Sequence, residues 1–316
     1  MKLQTNIPFS KASFPIDYGS QLFLLGSCFS ENIGKKLDYY KFPSLCNPFG
    51  ILFHPKAIER IITDATEEKR YTEKDVFFQN ERWHSFDAHS NLSDVSKDTL
   101  LEKLNDGLDA IHRQISKATH IIITLGTAWV YRHIRTGSVV TNCHKVPQKE
   151  FKKELLSIDE IVKSLENSIR SIYSVNKNAQ FIFTVSPVRH LKDGFIENQR
   201  SKAHLISAIH QVINGRNASY FPSYELLMDE LRDYRFYEVD MVHPNALAIA
   251  YIWEKFKTEW ISEKAYSVME QVEAIQKGIQ HKAFHPESEQ HRKFLKSLQE
   301  KIAYLKRAHP FMEFNE

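Results

Sequence analysis

One cysteine near the start of the chain has neighbours that favour a nucleophile. Cys28 follows the apolar run 22–25 and the pair Gly26-Ser27. The apolar run predicts a buried strand, and Ser30 with Glu31 predicts a helix start directly afterwards. We therefore expect Cys28 in the turn, where the helix dipole stabilises a thiolate and lowers the thiol pKa. The alternative is a buried structural cysteine, which packs as a small apolar group.

An acid and a histidine occur three residues apart, far along the chain. Asp240 can accept a hydrogen bond from one ring nitrogen of His243, and the other nitrogen can then take a proton from a nucleophile. Pro244 suits the first turn of a helix, and the residues after it predict a buried helix. Asp240 has a second interpretation as the cap of that helix, with His243 at the surface.

These two motifs resemble those of a known family. Gly26-Ser27-Cys28-Phe29 and Asp240-x-x-His243-Pro244 are similar to motifs of the GSCFA family, within the SGNH/GDSL hydrolase superfamily. The first motif is specific to the family, and the second is shared with the superfamily. The resemblance covers roughly residues 3 to 255. It is supported, in the family's order, by the segments Asn-Pro-Phe-Gly (47–50), Thr-Leu-Gly-Thr (124–127), Asn-Cys-His-Lys-Val-Pro (142–147) and Thr-Val-Ser-Pro-Val (184–188).

The resemblance implies roles for the two motifs. Aligning the superfamily's Gly-Asp-Ser block with Gly26-Ser27-Cys28 places Cys28 at the nucleophile position and Ser27 where Asp is usual. If the turn is offset by one residue, Ser27 becomes the nucleophile and Cys28 packs inward. His243 would be the base, with Asp240 orienting it.

The resemblance also implies an oxyanion hole, which departs from the superfamily pattern. Its usual donors are the nucleophile's amide, a glycine after the second strand and an Asn after the third. Gly50 suits the second donor, but Ala128 stands where the Asn is expected. Either another polar residue substitutes or the hole has fewer donors, and losing one donor costs on the order of a hundredfold in rate. The predicted oxyanion and substrate-binding residues are Asn47, Gly50, Gly126, Thr127, Asn142 and His144.

Composition excludes several classes of function. The chain has 316 residues, 42% of them hydrophobic and 12% aromatic, and a net charge of +3. These values predict a globular protein with neither a nucleic-acid partner nor a membrane partner. No apolar signal segment opens the chain, and its three cysteines suit a reducing cytoplasm. The cysteines and histidines lack the close pairs of a zinc site, and we expect no metal or cofactor.

Strand and helix patterns alternate along the chain. We predict strands at 22–25, 121–125, 181–185 and 218–221, and helices at 30–40, 97–116, 158–175, 200–214 and 244–261. This alternation, with the resemblance, predicts an α/β, three-layer, flavodoxin-like doubly wound parallel sheet of the SGNH type over residues 1–261. The candidate residues should gather at the carboxyl ends of its strands.

The end of the chain has a different pattern. Charged helices are predicted at 262–281 and 287–307, forming a C-terminal helical extension over residues 262–316 outside the resemblance. The extension could pack on the domain, pair with another copy or bind a partner.

The sequence therefore predicts a hydrolase of ester bonds that acts through an acyl-enzyme on a small-molecule or carbohydrate ester. The resemblance implies O-acetylated carbohydrate as a substrate class. The alternatives are an acyltransferase that uses the same site and a non-catalytic binding protein with a degenerate site.

Overall fold

The computed structural model describes residues 4–213 and 217–314, and it places the predicted strands in one parallel sheet. The four predicted strands are confirmed. They are joined by a short second strand, half exposed, that the apolar pattern did not indicate. The strands are β1 (Leu22–Gly26), β2 (Ser44–Cys46), β3 (Phe77–Gln79), β4 (Arg82–His84), β5 (His120–Leu125), β6 (Trp129–His133), β7 (Val139–Val140), β8 (Phe151–Leu155), β9 (Gln180–Val185) and β10 (Ala218–Phe221).

The central sheet has the strand order β10-β9-β5-β1-β2, with all neighbours parallel. Counted within this sheet, the order is 2-1-3-4-5, which flavodoxin-like doubly wound sheets share. In register, Leu24 of β1 lies opposite Cys46 on β2 and Ile122 on β5. From the first and third strands the chain continues toward opposite edges of the sheet, so a topological switch point lies between these two neighbours, where ligands bind in open α/β sheets.

Helices cover both faces of this sheet. The predicted helices are confirmed with small shifts at their ends. The helix predicted at 200–214 begins five residues earlier, and its predicted end, Asn214, lies outside the described residues. The first residues of the predicted domain 1–261 and the last residues of the predicted extension 262–316 also lie outside them. The helices are α1 (Cys28–Tyr39), α2 (Pro55–Thr66), α3 (Lys97–Lys117), α4 (Ile158–Val175), α5 (Phe195–Val212), α6 (Ser223–Glu225), α7 (Ala246–Trp260), α8 (Glu263–Gln280) and α9 (Glu289–Ala308).

Side chains alternate between two cores along each strand, as the strand period of two requires. Phe23 and Leu25 face the core shared with α2, α3, α4 and α5. Leu22 and Leu24 face the core shared with α1 and α7. The molecule therefore has three layers, helix on sheet on helix.

A small antiparallel sheet interrupts the alternation between β5 and α4. Its strand order is β7-β6-β8, and it follows the carboxyl end of β5 directly. The sequence patterns did not predict it, because its strands are short and only partly buried. It places aromatic side chains of β6 above the edge of the central sheet. A separate hairpin joins β3 and β4.

The C-terminal helices pack on the domain. Met269, Val272 and Ile275 of α8 are buried in the same core as α1 and α7, and α9 adds Ile302 and Leu305. Of the roles that the sequence left open, packing on the domain is therefore the one that the structure shows. Among the described residues, no helix is both long and apolar enough to cross a membrane.

Candidate active site

The turn after β1 positions the predicted nucleophile. Gly26 has a φ of 140°, and a Cβ there would overlap the carbonyl oxygen of Thr124, so only glycine fits. Ser27 is the N-cap of α1, and its Oγ accepts a hydrogen bond from the Phe29 amide at 3.3 Å. Cys28 is therefore the first residue of the helix.

This arrangement corrects the predicted helix start. The sequence suggested Ser30 as the capping residue and Cys28 in the turn before it. Ser30 is instead buried in the first turn of α1, and its hydroxyl donates to the Leu25 carbonyl at 3.2 Å. The sequence patterns did not indicate Ser27 as a cap, and the turn geometry shows that it is the capping residue.

The Cys28 thiol is half-buried, and its pKa is raised. Burial is the main cause, followed by the nearby Glu31 carboxylate. Lys202 and the backbone amides of Cys28 and Phe29 act in the opposite direction and favour the thiolate. The expected lowering of the thiol pKa is thus opposed by desolvation, which the helix position alone did not reveal.

Lys202 of α5 is a buried lysine that interacts electrostatically with the Cys28 thiol. The residue is 1% exposed, and its Nζ donates to the carbonyl oxygens of Gly126 and Ser186, each at 2.7 Å. These carbonyls directly follow β5 and β9. Burial lowers the Lys202 pKa to about 7, and the Cys28 thiol opposes this shift. Within residues 4–213 and 217–314, Lys202 has no carboxylate partner.

Sequence reasoning missed Lys202, although a signal was present. Lys202, Leu205 and Ile209 have the i, i+3, i+7 spacing of one helix face, and Leu205 and Ile209 are fully buried. A lysine on the apolar stripe of a helix indicates a buried cation, which proteins rarely keep without a function.

Asp240 and His243 form the predicted pair in the loop before α7. Oδ2 of Asp240 accepts a hydrogen bond from Nδ1 of His243 at 2.6 Å, and Oδ1 accepts from the amides of Val242 and His243 at 2.9 and 3.0 Å. The His243 amide and side chain, with the Val242 amide, hold the Asp240 pKa at about 2. Asp240 does not cap α7, because Asn245 accepts the hydrogen bond from the Ala248 amide.

A cavity of about 730 Å³ at the carboxyl ends of the strands brings the candidate residues together. Cys28, Asp240 and His243 line it, as do Thr127 and Asn142. Ser27, Asn47, Gly50, Gly126 and His144 are not among its lining residues. Among the described residues, no hydrogen bond joins the Cys28 thiol to the His243 imidazole.

Two family models match the chain. The model of the GSCFA family matches residues 21–256, which is most of the chain. The chain belongs to the GSCFA family. A second model, for the C-terminal domain of GSCFA domain proteins, matches residues 272–316. The expectation that the tail lies outside the resemblance was therefore wrong. No curated protein matches the chain.

Several amides expected to form the oxyanion hole of this GSCFA protein are already bonded. The Gly50 amide donates to the Asn47 carbonyl at 2.8 Å. The amides of Gly126 and Thr127 both donate to the Phe53 carbonyl, at 2.8 and 3.0 Å. These three N–H groups are therefore unavailable to a substrate.

Asn47 supports the turn that precedes Cys28. Its Oδ1 accepts a hydrogen bond from the Gly26 amide at 2.9 Å, while its Nδ2 is buried without a partner in the described part of the chain. Asn47 has a φ of 45°, in the left-handed region that asparagine tolerates. Its position under Gly26 makes it a positioning residue for the turn.

Three residues that line the cavity carry other donors, namely Cys28, Asn142 and His190. Nδ2 of Asn142 has no acceptor among residues 4–213 and 217–314, and the Cys28 amide bonds only to its own thiol. Nε2 of His190, which sequence reasoning did not single out, is buried without a partner. Burial, Lys202 and His243 lower the His190 pKa to about 3, so the ring is neutral at pH 7. A neutral imidazole can donate one hydrogen bond to a developing oxyanion.

His144 has a structural position in the GSCFA chain. Its Nε2 donates to the Ser85 carbonyl at 2.7 Å, and burial lowers its pKa to about 4. Its ring lies 4.6 Å from the His84 ring. The described residues contain no group of three or more Cys, His, Asp or Glu side chains that would hold a metal ion.

Proposed function

We propose that this protein is an SGNH-like hydrolase of ester or thioester bonds, with Cys28 as nucleophile, His243 as base and Asp240 as its orienting group. The observation that carries the proposal is the shared cavity, which a helix-terminal thiol and a carboxylate-bound imidazole both line. The flavodoxin-like strand order and the family's motifs support the SGNH placement.

The raised pKa of the Cys28 thiol supports a mechanism in which the thiol loses its proton during the attack. His243 Nε2 takes the proton from Cys28, because Nδ1 is held by Asp240. The thiolate then attacks the carbonyl carbon, and Lys202 stabilises the negative charge on sulfur until the C–S bond forms. The developing oxyanion is placed among the donors of Asn142 and His190 and the Cys28 amide, which the sulfur releases as its negative charge passes to the carbonyl oxygen.

The remaining steps return the proton and release the acid. The C–O bond of the ester breaks, and protonated His243 gives its proton to the leaving oxygen. Water then attacks the thioester while His243 takes a proton from it, the C–S bond breaks, and the thiol is restored. A sugar hydroxyl in place of this water would make the same site an acyltransferase.

The two residues of the turn differ in ways that favour Cys28. Ser27 is 1% exposed, and its oxygen is occupied as the helix cap. Cys28 reaches the cavity. Of the three free cysteines, Cys46 and Cys143 have pKa values raised by burial to about 12 and about 11. Cys28 alone has a buried cation among the groups that lower its pKa.

The test is intact-mass detection of acyl transfer from p-nitrophenyl acetate. We expect one acetyl adduct in the wild type and in Ser27→Ala, and none in Cys28→Ala; in His243→Ala the adduct forms at least about a hundredfold more slowly. Loss of the adduct only in Ser27→Ala would move the nucleophile by one residue. No adduct in the folded wild type, with this and larger acyl groups, would favour a non-catalytic binding protein.

O-acetylated carbohydrate is the substrate class that we propose from the superfamily resemblance, with a cytoplasmic location from the free cysteines. Release of acetate from acetylated oligosaccharides tests the substrate class directly. Transfer of acetyl to an added sugar, without release of acetate, would identify an acyltransferase instead.

A further inference from the structure

Two cations line the candidate active-site cavity without a carboxylate partner. Among the described residues, neither Arg189 nor Lys192 forms an ion pair. The two carboxylates that line the same cavity are both engaged, Asp240 by His243 and Asp193 by Lys153. The two carboxylates of the cavity are thus already bonded, whereas the two cations remain available to an anion.

Arg189 is held in a fixed orientation. Its guanidinium lies 5.0 Å from the ring of Tyr237 and 5.7 Å from the rings of Phe195 and Tyr234. Nη1 donates to the Met241 carbonyl at 3.3 Å, which leaves most of the five N–H donors of the group free. Aromatic packing of this kind fixes the plane of the guanidinium before any ligand binds.

Arg189 also lies beside the catalytic pair. Its amide donates to the Val242 carbonyl at 3.2 Å, so the loop after β9 and the loop that holds His243 are joined at this residue. An anion on the guanidinium is thus placed at a fixed position relative to His243. If Arg189 only held the two loops together, its contacts to the Met241 and Val242 carbonyls would be sufficient. The residue would then not have to line the cavity.

We propose that Arg189, assisted by Lys192, binds a carboxylate or phosphate group of the substrate, so that the ester belongs to an anionic molecule. Paired N–H donors of a planar guanidinium match the two oxygens of such a group. An acidic or phosphorylated carbohydrate ester has this chemistry, whereas a neutral sugar acetate would leave both cations unpaired. The catalytic meaning of this site rests on the proposed function.

The first test compares two alkylating reagents on Cys28, anionic iodoacetate and neutral iodoacetamide. Because the same thiolate displaces iodide from both reagents, the ratio of their rates removes any change in the thiol pKa. Peptide mapping follows Cys28 itself. The variants are Arg189→Met and, as a control, Arg132→Met, which removes an arginine outside the cavity that also donates to a main-chain carbonyl but is paired with Glu154.

We expect the ratio of iodoacetate to iodoacetamide rates to fall roughly tenfold or more in Arg189→Met and to stay at the wild-type value in Arg132→Met. Arg189→Lys, which keeps a charge but not the planar fork, should give an intermediate ratio, and it decides the question if Arg189→Met does not fold. A wild-type ratio in folded Arg189→Met would overturn the proposal.

The second test does not depend on the nucleophile. Succinate and inorganic phosphate are titrated into the full chain by calorimetry, with saturable binding expected in the wild type and at least roughly tenfold weaker binding in Arg189→Met. The anion that binds more tightly identifies the source of the charge. If Cys28 reacts with neither reagent but anion binding depends on Arg189, the proposed nucleophile fails and the anion site stands. Absence of binding in the wild type would overturn the anion site.

Discussion

Replacement of Lys202 by methionine should remove a pH dependence of stability that this one residue creates. Lys202 is 1% exposed, and burial lowers its pKa to about 7 from the ordinary value of 10.5. Between these two pH values the unfolded chain binds a proton that the folded chain does not. The free energy of unfolding therefore rises with pH across this window, and it is insensitive to this group below it.

The size of the effect follows from the two pKa values. One proton changes the free energy of unfolding by about 1.4 kcal/mol per pH unit inside the window. Since the folded group is half titrated at pH 7, the gain between pH 7 and pH 9 is about 2 kcal/mol. Lys202→Met also leaves the carbonyls of Gly126 and Ser186 without their donor, but that loss is independent of pH.

The assay is denaturant unfolding of wild type and Lys202→Met at pH 7 and pH 9. We expect the wild type to gain about 2 kcal/mol more than the variant between these pH values. Because Lys202 and the Cys28 thiol interact, the same comparison is repeated with and without Lys202→Met in a Cys28→Ala background. This separates the contribution of the lysine to the pH dependence from that of the thiol. Equal pH dependence in wild type and Lys202→Met would refute the inference that Lys202 titrates near neutral pH.

Three further substitutions test the turn and the site. Asp240→Asn should slow acyl transfer from p-nitrophenyl acetate by at least about a hundredfold, because His243 loses the group that fixes its tautomer, whereas far-ultraviolet circular dichroism should be unchanged. Asn142→Ala should also slow acyl transfer by about a hundredfold, because the oxyanion loses a donor. The rate of alkylation of the thiol by iodoacetamide should be unchanged, since alkylation forms no oxyanion. Gly26→Ala should lower the free energy of unfolding by about 3 kcal/mol or more, because the added Cβ meets a backbone carbonyl. The control Gly137→Ala, also at positive φ but in open space, should lower it by only about 1 kcal/mol in the same denaturant assay.

Local patterns were sufficient for most of the fold. The buried strands β1, β5 and β9 are continuous apolar runs, and the helix α4 begins at a capping box of Ser157 and Glu160. The antiparallel sheet β6 to β8 was missed because its short strands are only partly buried and their pairing depends on residues far apart. Its contribution matters, because Trp129 and Tyr131 form part of the cavity wall.

The sequence by itself determined the pieces of the site that are local. Gly26 before a capped helix and the three-residue spacing of Asp240 and His243 are both encoded within a few residues. Backbone geometry and short-range hydrogen bonds act at that range.

The tertiary structure alone decided what surrounds those pieces. It brought Lys202 within range of an electrostatic interaction with Cys28, and it set Arg189 among three aromatic rings beside the loop of His243. Burial raised the thiol pKa where the helix position alone predicted a lowered one. Cys28 and Lys202 are more than a hundred residues apart in the chain, and desolvation depends on everything that packs around a group, so no local pattern specifies these effects.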